Sequence, residues 1–97
     1  MSKKRNKWQI IYDILKAIQD KDNILHTHIL YKANLSYPIL EQYLRELIFK
    51  EMVVERRSYK KKRTYVLTDK GFEYMRKFGV INEFNRFFNL EEPQEAV

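Results

Sequence analysis

The tripeptide Asn34-Leu35-Ser36 divides two apolar repeats, and no other feature of the chain limits its folding as much. Before it, Ile29, Leu30 and Ala33 fall on one side at helical spacing. After it, Leu40, Leu44, Leu47 and Ile48 repeat at three-and-four spacing. Asparagine and serine bond locally to the backbone and favour turns and caps, so a single long helix is interrupted here. Ser36 is placed to cap the second helix, and Pro38 falls in its first turn, where a missing N–H removes no hydrogen bond. His26 to Met52 therefore reads as a short helix, a tight break and a longer helix. Away from the leucines lie Tyr37, Glu41, Gln42 and Arg45, polar tips for which a core has no use.

The flanking segments supply support. Residues 7–20 set Trp8, Ile11, Leu15 and Ile18 along one stripe with Ile14 beside it, which predicts a first amphipathic helix. Lys21-Asp22-Asn23 ends it, and Ile24-Leu25 is long enough for a short strand. Thr27 can cap a helix beginning at His28. His26 and His28 would point about 200° apart on a regular helix and so cannot share one metal. A buried, a surface or a phosphate-contacting histidine each fits better than a catalytic one.

Beyond Met52 the pattern changes to alternation. Val54, Arg56 and Ser58 face one way and Val53, Glu55, Arg57 and Tyr59 the other. Thr64 to Thr68 alternates again, with Tyr65 and Leu67 opposite Val66, so the two runs predict a β-hairpin. With no Asn-Gly or Asp-Gly, the connection is expected to be a loose, mobile tip near Tyr59 to Lys62 and not a two-residue turn. Thr68 can cap a last helix with Asp69 in its positive first turn. Gly71 suits a close approach to a neighbouring element. Phe72, Met75 and Phe78, with Tyr74, form the apolar face, and Gly79 is a point where the helix would end or kink. Val80, Ile81, Phe84, Phe87, Phe88 and Leu90 continue at helical spacing. A second copy of the chain is the expected partner for that surplus, the alternative being that it folds back on the first helix.

The chain has 97 residues, enough for one small core, and its 44% hydrophobic and 33% charged residues with only two glycines and two prolines favour a compact helical fold. It contains no cysteine, which removes disulfides and thiolate metal sites. No apolar run approaches the length of a membrane span, and a soluble, cytoplasmic, nucleoid-associated protein is expected. The net charge of +6 is unevenly spread. Lys3, Lys4, Arg5 and Lys7 open the chain, and Arg56, Arg57, Lys60, Lys61, Lys62 and Arg63 crowd the hairpin. A basic run alone can be no more than a solvated surface, but beside two helices of this kind it gains meaning. The expected organisation is a flexible basic arm (1–6), a domain (7–78), a helical extension for dimerisation (79–90) and a polar acidic tail (91–97).

Helix, helix, turn, helix, strand, basic tip, strand and helix is the order of a winged helix-turn-helix. The chain resembles the small archaeal winged-helix DNA-binding proteins related to the chromatin-associated dimers of Sulfolobus. The residues that carry the resemblance are Trp8 to Leu15, Thr27 to Leu35 with Ser36-Tyr37, Tyr43-Leu44, and Val66 to Gly71. It implies an α+β fold, mainly helical, with a two-stranded hairpin wing and a C-terminal helix, and a dimer through an antiparallel coiled coil. The sequence departs from that pattern at Gly79, followed by a short aromatic tail, and in a tip unusually rich in lysine and arginine.

Double-stranded DNA is the expected partner. In the major groove, Gln42 suits adenine, Arg45 guanine or a phosphate, and Glu41 either cytosine or the orientation of Arg45. Ser36 and Tyr37 are placed for phosphate, as are the cations of the arm and wing, with Arg63 or Lys61 alternatively in a narrow minor groove. The expected function is a transcription regulator acting as a homodimer. The alternatives are a sequence-indifferent architectural chromatin protein and a winged-helix module for protein interaction. No nucleophile-base pair, metal constellation or glycine-rich phosphate loop suggests an enzyme, and no cofactor or small-molecule ligand is expected.

Overall fold

Asn6 determines where the first helix starts. Its side chain accepts the Gln9 N–H at 2.9 Å, and the Gln9 side chain accepts the Asn6 N–H at 3.3 Å, a reciprocal cap. From this cap the computed structural model, which describes residues 5–88, runs through α1 (Lys7–Asp20), β1 (Ile24–Leu25), α2 (His26–Ala33) and α3 (Tyr37–Phe49). The chain continues as β2 (Val53–Arg57), β3 (Arg63–Leu67) and α4 (Asp69–Phe87). Ile14, Leu15, Ile24, Ile29, Leu40, Leu47, Val53 and Tyr65 are fully buried where the helices meet the sheet. Trp8 has the right angle for the α1 stripe yet is 56% exposed. In the first turn the helix runs past the buried cluster, and Lys7 Nζ lies 5.9 Å from the Trp8 ring.

β2 and β3 form the expected two-stranded hairpin, and the sheet gains a third, short strand from Ile24-Leu25. Ile24 pairs with Tyr65 and Leu25 with Thr64, so the two-residue step becomes an antiparallel edge in the order β1-β3-β2. That pairing carries Leu25, still extended, directly into α2. The helix therefore starts at His26, earlier than expected, and Thr27 lies inside it and is not its cap. At the other end Asn34 takes the left-handed conformation, φ 54°, and its N–H returns to the Leu30 carbonyl. Ser36 occupies the cap position of α3, but its hydroxyl makes no capping bond.

Two glycines flank very different surroundings. A methyl group built on Gly71 would run into the Met52 carbonyl oxygen, so the close approach expected there is met. Thr68 reinforces it, accepting the Gly71 N–H at 3.1 Å and donating to the Glu51 carbonyl at 2.7 Å. Turning Gly71 and Met75 inward leaves Phe72 on the outside, contrary to the expected apolar face. Phe78 does pack inward, stacking on Tyr12 at 4.9 Å. At Gly79 nothing lies within 4 Å of such a methyl group, and α4 neither ends nor kinks into a separate element there; it runs 19 residues to Phe87.

Candidate nucleic-acid interface

The exposed side of α3 and the hairpin are held together by one cluster. Arg63, the first residue of β3, donates to Glu41 Oε1 at 2.9 Å and to the Tyr37 hydroxyl at 3.2 Å, and its other terminal nitrogen lies 3.8 Å from Glu55 Oε1. Beneath them His26 is buried, its ring 4.6 Å from that of Tyr37 and 6.4 Å from that of Tyr65. Its Nε2 lies 3.0 Å from Glu41 Oε1, and neither ring nitrogen makes a hydrogen bond that meets geometric criteria among the described residues. Burial lowers the His26 pKa against the pull of Glu41, and nearby Arg63 lowers it further. Burial raises the Glu41 carboxyl, but the Arg63 hydrogen bond and charge, with His26 and Arg45, bring it below its usual value. Burial pushes the Tyr65 hydroxyl up to about 12.

This geometry divides the expected site residues. Gln42 and Arg45 are exposed on α3, as are Ser36 and Tyr37 at its start. Glu41 is not turned outward with them; it is committed to Arg63, and the sequence expectation had paired it with cytosine or Arg45. Arg56, Arg57, Lys60, Lys61 and Lys62 are exposed along the wing, while Arg63 is held back at its base. The tip is longer than a two-residue turn, as expected, but it is hydrogen-bonded. Ser58 N–H donates to the Lys62 carbonyl at 2.9 Å, and the Ser58 hydroxyl accepts from the Lys60 and Lys62 N–H groups at 3.3 Å.

Arg5, expected in a flexible basic arm, is held by three hydrogen bonds. Arg5 donates to Asp13 Oδ2 at 2.7 Å, to the Ala33 carbonyl at 2.7 Å and to the Asn34 carbonyl at 2.8 Å. It fastens the end of α2 and the turn that sets the angle to α3, where a cation meets free helix carbonyls. Lys7 pairs with Glu46 at 3.1 Å. Lys3 and Lys4 lie outside the described residues. On α4, Val80, Ile81, Phe84, Phe87 and Phe88 are each more than half exposed, with Phe88 in ring contact with Phe84 at 4.8 Å and Phe87 at 5.0 Å. They do not fold back on α1. His26, Glu55 and Arg5 were missed as members of these clusters because each partner is distant in sequence. A buried histidine was one of the expected readings of His26, and the structure places it so.

A family model described as winged helix-turn-helix matches residues 4–86, and the chain belongs to that family. Its fold is similar to that of Sso10a-2, a DNA-binding protein from Sulfolobus solfataricus, with a TM-score of 0.77 and 19% identity over 88% of this chain and 86% of that one. It is also similar to the PcaV transcriptional regulator of Streptomyces coelicolor, TM-score 0.72 and 20% identity over 80% of this chain and 57% of the other. MepR, a transcription regulator of the Staphylococcus aureus multidrug efflux pump MepA, gives a TM-score of 0.71 and 18% identity over 86% and 65%. The chain thus spans under two thirds of either regulator. No curated protein matches it in sequence. No described helix is long and apolar enough to cross a membrane.

Proposed function

We propose that this protein is a transcription regulator that binds double-stranded DNA, with α3 in the major groove and the wing on the phosphate backbone. The observation that carries the reading is the join between the two surfaces. Arg63, bonded to Glu41 and Tyr37, sets a cation-rich hairpin beside the helix that exposes Gln42 and Arg45. Similar folds named as a DNA-binding protein and as transcription regulators support it. Gln42 and Arg45 supply base discrimination, Ser36 and Tyr37 bond phosphate at the helix start, and Glu41 orients Arg63. The exposed apolar side of α4 from Val80 to Phe88 is the dimer surface, which sets two half-sites about one helical turn, roughly 34 Å, apart.

The density of exposed wing cations favours one second reading, an architectural protein indifferent to sequence. Selection of bound duplexes from a random pool separates the two. A regulator enriches a defined half-site, and Gln42→Ala with Arg45→Ala abolishes the enrichment. An unenriched pool at physiological salt removes the regulator reading.

A further inference from the structure

Two basic side chains from different elements converge on one oxygen, Glu41 Oε1. Arg63 Nη2 of β3 donates to it at 2.9 Å, and His26 Nε2 of α2 lies 3.0 Å from it, buried against the Tyr37 ring. We propose that His26 is a positioning residue for DNA binding: on taking up a proton its ring takes Glu41 Oε1, and Arg63 is released from the seam between α3 and the wing to a phosphate. The proposal rests on the DNA-binding reading above and adds to it a control by protons.

A neutral imidazole carries one proton and no charge, so Arg63 holds the carboxylate without a rival. A protonated ring has an N–H on both nitrogens, and the one at Nε2 needs only a small rotation to bond an oxygen already 3.0 Å away. That bond is charge-assisted and shielded from water. Two cations at one oxygen also repel each other, and Arg63, being partly exposed, is the one able to leave. Its remaining contacts are a 3.2 Å bond to the Tyr37 hydroxyl and Glu55 at 3.8 Å.

Few groups face the ring. From α3 come Tyr37 and Glu41, and from β3 Arg63 and Tyr65. Behind them Glu55 of β2 accepts the Tyr65 hydroxyl at 3.5 Å, and Arg45 of α3 acts on Glu41. The Tyr37 centroid, 4.6 Å away, is within the range at which an aromatic face attracts a cation, so the protonated ring gains a second favourable neighbour.

The direction of the control follows from the charges. Burial and Arg63 hold the ring below the ordinary histidine value against Glu41, so the free chain makes the exchange on the acid side of that value. A phosphate that draws Arg63 away removes a repelling charge and leaves Glu41 to His26. DNA therefore favours the protonated ring, and the protonated ring favours DNA.

The test measures duplex affinity from about pH 8 to about pH 5 for the full chain, His26→Phe and Arg63→Gln, with circular dichroism over the same range. Wild-type affinity is expected to rise about fivefold or more toward the acid end, and its slope against log salt to steepen by about 0.9. Both changes should be absent from His26→Phe, whose apolar ring leaves Glu41 to Arg63 throughout. They should also be absent from Arg63→Gln, which has no cation to release and decides the matter if the first variant does not fold. Followed by NMR, the His26 ring should titrate at higher pH in the complex than in the free chain, and the free-chain Arg63 guanidinium signal should move with the His26 midpoint. A flat wild-type profile overturns the proposal and leaves the DNA reading standing. So does an equally steep rise in either variant, which would place the proton elsewhere, His28 beside Lys21 included. Helix signal lost in step with the titration, or an Arg63 signal that stays still while His26 titrates, overturns the exchange. A wild type that binds no duplex at any pH overturns the DNA reading itself.

Discussion

Replacing Glu41 by glutamine is expected to weaken the fold and strengthen DNA binding at the same time. Arg63 meets Glu41 Oε1 at 2.9 Å, with the two side chains 30% and 21% exposed. Hydrogen bonds to charged groups contribute about 1.5–3 kcal/mol, and an exposed ion pair about 0–1 kcal/mol. Partial exposure, and an amide oxygen that still accepts, place the loss near 1 kcal/mol, or about 4–8 °C in melting temperature for a domain of this size. On DNA the sign reverses. An anion leaves the interface and Arg63 becomes free for a phosphate, so log affinity should rise at low salt and its slope against log salt should steepen by about 0.9. Thermal denaturation and fluorescence anisotropy between about 50 and 200 mM salt measure both effects. Weaker binding by Glu41→Gln with an unchanged slope would refute the reasoning, because Glu41 would then be contacting the DNA itself.

Burial lowers the His26 pKa, so unfolding takes up a proton. Its contribution to stability should be complete above about pH 6.5 and decline as pH falls from there through the lowered folded value, and His26→Phe should flatten urea midpoints across that window. Gly71→Ala is expected to destabilise by about 1–3 kcal/mol through overpacking against the Met52 carbonyl, while Gly79→Ala, in open space, should stabilise by about 0.5–1 kcal/mol; paired denaturant titrations check the opposite signs. Arg5→Ala should cost about 1–3 kcal/mol by leaving the Ala33 and Asn34 carbonyls and Asp13 without their donor, read from the same titrations. Phe84→Asp should shift sedimentation from dimer to monomer without lowering the monomer's helix content, since the ring is exposed within one chain.

The fold was legible where the signal is local. Apolar spacing gave α1 and α3, Asn34 and Pro38 marked the break, and alternation gave β2 and β3. The third strand was visible as a two-residue apolar step, but its pairing with Thr64 and Tyr65 depends on residues about forty positions away. The same distance explains why the start of α2 was expected at His28 with Thr27 as its cap, since pairing of Leu25 decided it. Five of the six wing cations lie exposed, and composition could not separate Arg63 from them, because what holds Arg63 is Glu41, on another element. Arg5 looked like a member of a basic arm for the same reason. Gly79 was read from intrinsic propensity, a cost of about 1 kcal/mol that a helix packed through Tyr74, Met75 and Phe78 absorbs without breaking.

The salt dependence of duplex binding tests the central claim most directly, that the wing supplies affinity beside a helix that supplies discrimination. With Arg56, Arg57, Lys60, Lys61 and Lys62 each neutralising one phosphate and Arg63 held by Glu41, log affinity should fall against log salt with a slope of about −4.5 per subunit. Changing Lys60, Lys61 and Lys62 to glutamate should reduce that slope to about −2 or less and weaken binding to all sequences alike. A slope near zero in the wild type, or binding unaffected by the three reversals, would contradict the account.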